Sequence, residues 1–268
     1  MLMQSTMRSL GSILLLATGS LLVQGESVQS QSAKIPETFE EIFAERDFRA
    51  VSATEYLRCL QVTTSAAGRG AFGKLPSQWS LICLEQGGEW RGVYGELGRG
   101  AVAVQLQFAL RGKNGALTRK FVDTTRVRST LLALRHGESA PLPGAGKYQF
   151  TPVAFARSDF VELWFLPVPV DSSRVIIGGD SLIQMSADGG RELGHGLKTP
   201  PIRELPLTRS KAMWKIESSE ERIPTVSELA AAHRALALVP SVMVRTRQYE
   251  SVLKRGERRW SHRRPPSR

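Results

Sequence analysis

Between residue 56 and about residue 215 the apolar residues tend to recur at every second position, and this periodicity constrains the fold more than any other feature. The clearest case is 101–110, where Val102, Val104, Leu106, Phe108 and Leu110 alternate with Ala103, Gln105, Gln107 and Ala109. That is the pattern of a strand with one buried face and one smaller or wetter face. It runs into Gly112-Lys113-Asn114-Gly115, whose Asn-Gly pair accepts positive φ, and then into 116–124. The segment predicts a hairpin. A second hairpin is predicted from 181–187 and 191–197 around Asp188-Gly189-Gly190. Further strands are expected at 56–64, 79–85, 128–134, 148–156, 160–166 and 174–177, with Gly and Pro punctuating at 68–73, 87–88, 141–146 and 167–169. Short strands joined by turns, without helices between them, point to antiparallel sheets rather than a doubly wound parallel one.

Helical patterning is confined to the two ends. Residues 36–46 place Pro36 and the acids Glu37, Glu40 and Glu41 in a first turn, and Phe39, Ile42 and Phe43 on one face. Near the other end, Thr225 and Glu228 form a capping box for 225–238, with Val226, Leu229, Ala230, His233 and Ala237 on one stripe. Residues 242–253 are expected to be a last strand. The expected fold is therefore α+β, predominantly antiparallel β-sheet with a helix near each end of a single domain, 36–254.

The first 25 residues read as a secretory signal peptide: Arg8 in a basic start, an apolar run over 10–23, and Val23-Gln24-Gly25 before a cleavage point at Glu26. The apolar run is shorter than the roughly 20 residues a membrane span needs. A polar linker, 26–35, follows. Export to the periplasm or outside the cell changes how the two cysteines are read. In an oxidising compartment Cys59 and Cys83 are expected to form a disulfide rather than to act as thiols.

The formal charge of +11 first suggests a polyanion binder, but its distribution argues otherwise. Residues 245–268 carry +7 and the leader +1, which leaves +3 on the body. The stretch 255–268 reads as a basic, disordered tail. Within it Arg258, Arg259, Trp260, Arg263 and Arg264 are the candidate contacts to an anionic membrane surface or envelope polymer. Nucleic acid is the least expected partner of an exported chain. A protein partner stays open, and so does the oligomeric state.

Residues Gly179-Asp180-Ser181-Leu182, after the apolar 174–177, resemble the nucleophile block of the GDSL esterase/lipase family. The resemblance implies Ser181 as nucleophile at a strand-to-helix turn. It covers those four residues and the strand before them; no Asp lies three residues before a His downstream, and 181–187 reads as a strand. Ser181 without a base or oxyanion donors is an ordinary serine. His136 and His195 fall in or beside turns and, with Asp180 or Asp188, are the weak candidates for an acid/base or metal cluster; none of the four histidines has local zinc spacing. His233 is expected at a core edge. Trp79 and Trp90 flank the Cys83 strand and are the weak candidates to line a ligand groove.

These residues favour an exported, non-enzymatic binding or envelope-associated protein, with no cofactor or metal. The alternatives are a hydrolase or metal-dependent enzyme built on Asp180, Ser181, His195 and His136, and an assembly partner using a sheet edge.

Overall fold

A computed structural model describes residues 38–69, 77–98, 102–111, 116–119, 122–139, 142, 147–168, 173–196, 201–207 and 212–265. The expected leader, the linker 26–35 and the Gly112–Gly115 turn lie outside the described residues. In chain order the elements begin with α1 (Phe39–Gly68), β1 (Ser80–Gln86), β2 (Glu89–Leu97), β3 (Val102–Arg111), β4 (Ala116–Arg119) and α2 (Thr124–Gly137). Next come β5 (Gln149–Ala156), β6 (Phe160–Val168), β7 (Arg174–Ile177), β8 (Ser181–Ser186), β9 (Glu192–Gly196) and β10 (Arg203–Pro206). The chain closes with β11 (Trp214–Glu217), α3 (Val226–Leu236), β12 (Ser241–Arg245), β13 (Glu250–Lys254) and β14 (Ser261–Arg263). The fold is α+β, and its ladders are antiparallel except for the parallel pair β11–β12.

Four sequence expectations are corrected. Residues 56–64 belong to α1, which runs 30 residues, about 45 Å at 1.5 Å per residue. Its buried positions Ala50, Ala53, Tyr56, Cys59, Thr63 and Ala66 recur every three or four residues, so one continuous stripe faces the core. Thr38 and Glu41 cap its start reciprocally, two residues beyond Pro36. Residues 128–134 are likewise helical, within α2. The Asp123 side chain accepts from the Thr125 and Arg126 amides at its start, and Val127, Leu131 and Leu134 form its apolar row. The expected last strand is instead a hairpin, β12–β13. The stretch 255–265 is not a free tail: β14 pairs with β13, and Trp260 packs edge-on against Phe43.

Two four-stranded sheets, β1-β2-β3-β4 and β5-β6-β8-β9, are each covered by α1 on one face and α2 on the other. On β6 the alternation is plain: Trp164 and Leu166 join the α1 core, whereas Val161, Leu163 and Phe165 join the α2 core. On β1, Cys83 bonds to Cys59 of α1 (Cα–Cα 6.2 Å), while Ile82 and Leu84 pack on α2. The disulfide expected from sequence is therefore present. Edge strands β1 and β5 lie side by side, and no ladder joins them among the described residues. A third sheet, β11-β12-β13-β14, packs with α3 against the N-terminal part of α1. Among the described residues no helix is long and apolar enough to cross a membrane.

Candidate functional site

At one end of the β1–β5 seam the structure opens a groove of about 430 Å³. That volume is within the range of small-molecule sites. Its apolar lining comes from separate elements: Phe48 and Val51 of α1, Leu84 of β1, Trp90 of β2 and Phe155 of β5. Phe48 is 54% exposed and Val51 39% exposed, and both stand at this groove. A pair of exposed apolar side chains at a concave site offers surface that a bound ligand can cover.

The groove is rigidly backed. Tyr56, one turn beyond Ser52, is fully buried and meets the Trp90 ring edge-on with centroids 5.9 Å apart. Burial pushes the Tyr56 hydroxyl pKa well up, so it stays neutral and bonded to the Cys83 backbone. The disulfide fixes α1 to β1 beside it. Just before β2, Gly87 and Gly88 both adopt positive φ (+62° and +77°), giving the two-residue hairpin that closes on the Gln86–Glu89 pair and sets Glu85 opposite Trp90.

Charge enters where β5 ends. Arg126 of α2 donates from Nη2 to the Ala156 carbonyl at 2.9 Å. Arg157 lies over the Phe48 ring, its guanidinium carbon 5.2 Å from the centroid. Arg157 also stands 3.8 Å from Glu162, whose carboxylate is already held by Arg49 through bonds of 2.9 and 3.2 Å. The two acids of the groove are engaged locally. Glu85 accepts from the Gly88 amide at 2.6 Å, and Glu55 pairs with Arg58 at 3.9 Å.

Of the two tryptophans expected to line a groove, Trp90 does so. Trp79 is partly buried ahead of β1 and does not line it. His136 and His195 do meet, but at Glu192. His195 Nδ1 lies 2.5 Å and His136 Nε2 3.7 Å from its carboxylate oxygens. A bulge between Gln184 and Met185 puts Glu192 and His195 on the same face of β9, toward α2. The hairpin turn is pressed onto α2 at Gly189, where a Cβ would lie 1.9 Å from the Ser129 carbonyl oxygen. Asp188 stays in that turn, bonded to Ser186 and to the Gly190 amide.

Asp180 is elsewhere, accepting from Ser227 at 2.8 Å beside the start of α3. Burial raises its carboxyl pKa, partly offset by that hydrogen bond. Ser181 is buried at the start of β8, opposite Phe165, in a strand rather than at a strand-to-helix turn. Among the described residues no group of three His, Cys, Asp or Glu side chains is placed to hold a metal ion. His233 and the Trp260 indole both bond to Asp47 Oδ1, at 2.7 and 2.8 Å. Trp260 is thus built into the fold, and Arg263 is paired with the buried Glu250. Arg258, Arg259 and Arg264 remain exposed.

Sequence reasoning missed Phe48, Val51, Arg126 and Arg157. Phe48 and Val51 are spaced three apart, and once α1 is extended through 68 they lie off its buried stripe. No family model, curated protein or solved structure matches the chain.

Proposed function

We propose that this is an exported, non-enzymatic binding protein whose groove beside Trp90 takes a small apolar ligand. The observation that carries the reading is the exposure of Phe48 and Val51 at a concave apolar site backed by a buried tyrosine and a disulfide. A concave site of this size favours a small molecule over a flat protein partner. The enzyme alternative gains no support, because Asp180 is held by Ser227 and Ser181 is buried in β8 opposite Phe165, neither of them bonded to the His136–Glu192–His195 contact. Export is supported by the disulfide and by the signal-peptide pattern of the first 25 residues. Contact with an anionic envelope surface would rest on Arg258, Arg259 and Arg264, since Trp260 and Arg263 have structural partners.

The test is titration with the neutral fluorescent amphiphile N-phenyl-1-naphthylamine. Val51→Trp fills the mouth from an exposed position and should weaken binding at least tenfold while leaving the unfolding temperature in place. Equal binding by the wild type and this variant would overturn the assignment. For export, the purified extracytoplasmic protein should begin at Glu26 and show no free thiol; full-length chain retained inside the cell would overturn it.

A further inference from the structure

We infer that the ligand of this groove is a single-chain aliphatic carboxylate, with its chain along Trp90, Phe155 and Val51 and its head group against Arg126 and Arg157. The inference rests on the binding reading above and adds the chemistry of the ligand. The groove lining is largely apolar, and Arg126 and Arg157 both line it where β5 ends, with Glu55 and Glu85 as its acids. Arg126 has no carboxylate within ion-pair distance among the described residues. Its bond to the Ala156 carbonyl uses one of five guanidinium N–H donors. Arg157 has, among the described residues, Glu162 alone at 3.8 Å, and that carboxylate is already bridged by Arg49. Among the described residues the site therefore has guanidinium donors without a bonded acceptor next to an apolar wall, while its acids Glu85 and Glu55 are held by Gly88 and Arg58.

A planar guanidinium fork matches a carboxylate in geometry as well as charge. A cationic amphiphile would meet the same two arginines at a cost. A volume of about 430 Å³ accommodates one medium-length chain and is too small for two long ones. The stacking of Arg157 on Phe48 leaves the guanidinium edge free to donate while its face covers the ring. The apolar and charged halves of the site are thus continuous.

The experiment uses the full mature chain and three amphiphiles of equal length, each below its micelle concentration, in competition with N-phenyl-1-naphthylamine: dodecanoate, dodecanol and dodecyltrimethylammonium. Dodecanoate should bind at least about tenfold more tightly than dodecanol, the effect of one charge-assisted hydrogen bond. The cation should bind most weakly. Shortening the carboxylate by two carbons should weaken binding roughly tenfold. Arg126→Gln, and Arg126→Gln with Arg157→Gln, should erase the preference for dodecanoate. The readout is the ratio of dodecanoate to dodecanol affinity within each variant, and a ratio kept at the wild-type value in both variants overturns the head-group assignment. Equal affinity for dodecanoate and dodecanol in the wild type overturns the carboxylate assignment and leaves the apolar groove standing. Failure of all three, and of the neutral probe, overturns both.

Discussion

Glu162 is a carboxylate at 1% exposure near the start of β6, and its partner Arg49 offers a quantitative handle on what holds α1 to the sheet. Arg49 closes two bonds on it, at 2.9 and 3.2 Å, and its guanidinium lies 5.9 Å from the Trp164 ring centroid. Arg49→Met strands the acid with Arg157 at 3.8 Å as its remaining cation. Removing one partner of a buried pair costs about 3–5 kcal/mol. The lower end applies here, because Arg157 stays and Arg49 is 23% exposed. About 3 kcal/mol corresponds to a drop in unfolding temperature of roughly 6–12 °C for a chain of this length. The second contact of Arg49, to the exposed Glu45, adds at most ~1 kcal/mol. Glu162→Leu alone should cost less, since Arg49 can turn to water. The double variant buries Leu beside Trp164 and Leu166 and should return to within about 1 kcal/mol of the wild type, as apolar replacement of buried pairs does. Urea unfolding of all four proteins, with unchanged m-values, gives the coupling energy. About 2 kcal/mol or more is expected. Additivity within ~0.5 kcal/mol would mean that the pair is effectively solvated, and the reasoning would be wrong.

Reduction of Cys59–Cys83, or the double Cys→Ser variant, should lower stability by about 3–4 kcal/mol, the chain-entropy value for a loop of this size; denaturant curves with and without reductant check it. Gly189→Ala should cost at least about 2 kcal/mol, because φ is +75° and the new Cβ meets the Ser129 carbonyl. Hydrogen exchange should show the loss first in β8–β9 and α2. Two acids should respond oppositely to pH. The Asp180 carboxyl is raised above 3.8 by burial, so ionising it opposes folding as pH climbs through its folded value. Asp180→Asn keeps the acceptor for Ser227 and should be more stable than the wild type at pH 7, with the gain vanishing below about pH 4. The Glu250 carboxyl is lowered from 4.5, first by its hydrogen bond from Arg245. Its stabilisation is present at neutral pH and lost as pH falls through the folded value, so Glu250→Gln should be less stable than the wild type at pH 7 and should converge with it in acid.

The parts of the fold legible in the sequence are those set by local chemistry. The capping box of Thr225 and Glu228 marks α3, the Asp188-Gly189-Gly190 turn marks β8–β9, and strict alternation marks β3. Residues 56–64 and 128–134 misled because apolar residues at every second position and at every third or fourth coincide over a short window. Tyr56, Leu60 and Val62 sit at even positions, as on one face of a strand, while Tyr56, Cys59 and Thr63 share a helical stripe. The β-branched Val62-Thr63-Thr64 then tips local preference toward strand. What decides for helix is tertiary. The α1 stripe passes so close to β2 that a Cβ on Gly92 would lie 2.1 Å from the Thr63 hydroxyl oxygen. The groove was half legible. Trp90 was a candidate because it flanks Cys83. Arg126 and Arg157 come from α2 and the end of β5, and no spacing in one dimension relates them.

The excess of arginine, 27 against nine lysines, first pointed outward to polyanions. In the fold much of it points inward. Glu162, Glu228 and Glu250 are buried carboxylates, met by Arg49, by Arg203 at 3.3 Å, and by Arg245 and Arg263 respectively. Lysine would satisfy the charge in each place, but its single ammonium cannot close a two-point bond as Arg49 does on Glu162. Arg255 adds a further use, donating to the Leu236 and Val239 carbonyls where α3 ends. The basic C-terminal stretch is thus largely a clasp: Arg255 on α3, Trp260 on Asp47 and Arg263 on Glu250 draw β14 across the start of α1. Arg126 and Arg157 are placed differently, at the groove. Arg126 has no acid within reach among the described residues, and Arg157 has only a share of one that Arg49 already holds. Both lie at the groove where Phe48 and Val51 stand partly exposed. Guanidinium donors beside partly exposed hydrocarbon are the pair of features that an anionic amphiphile would engage together.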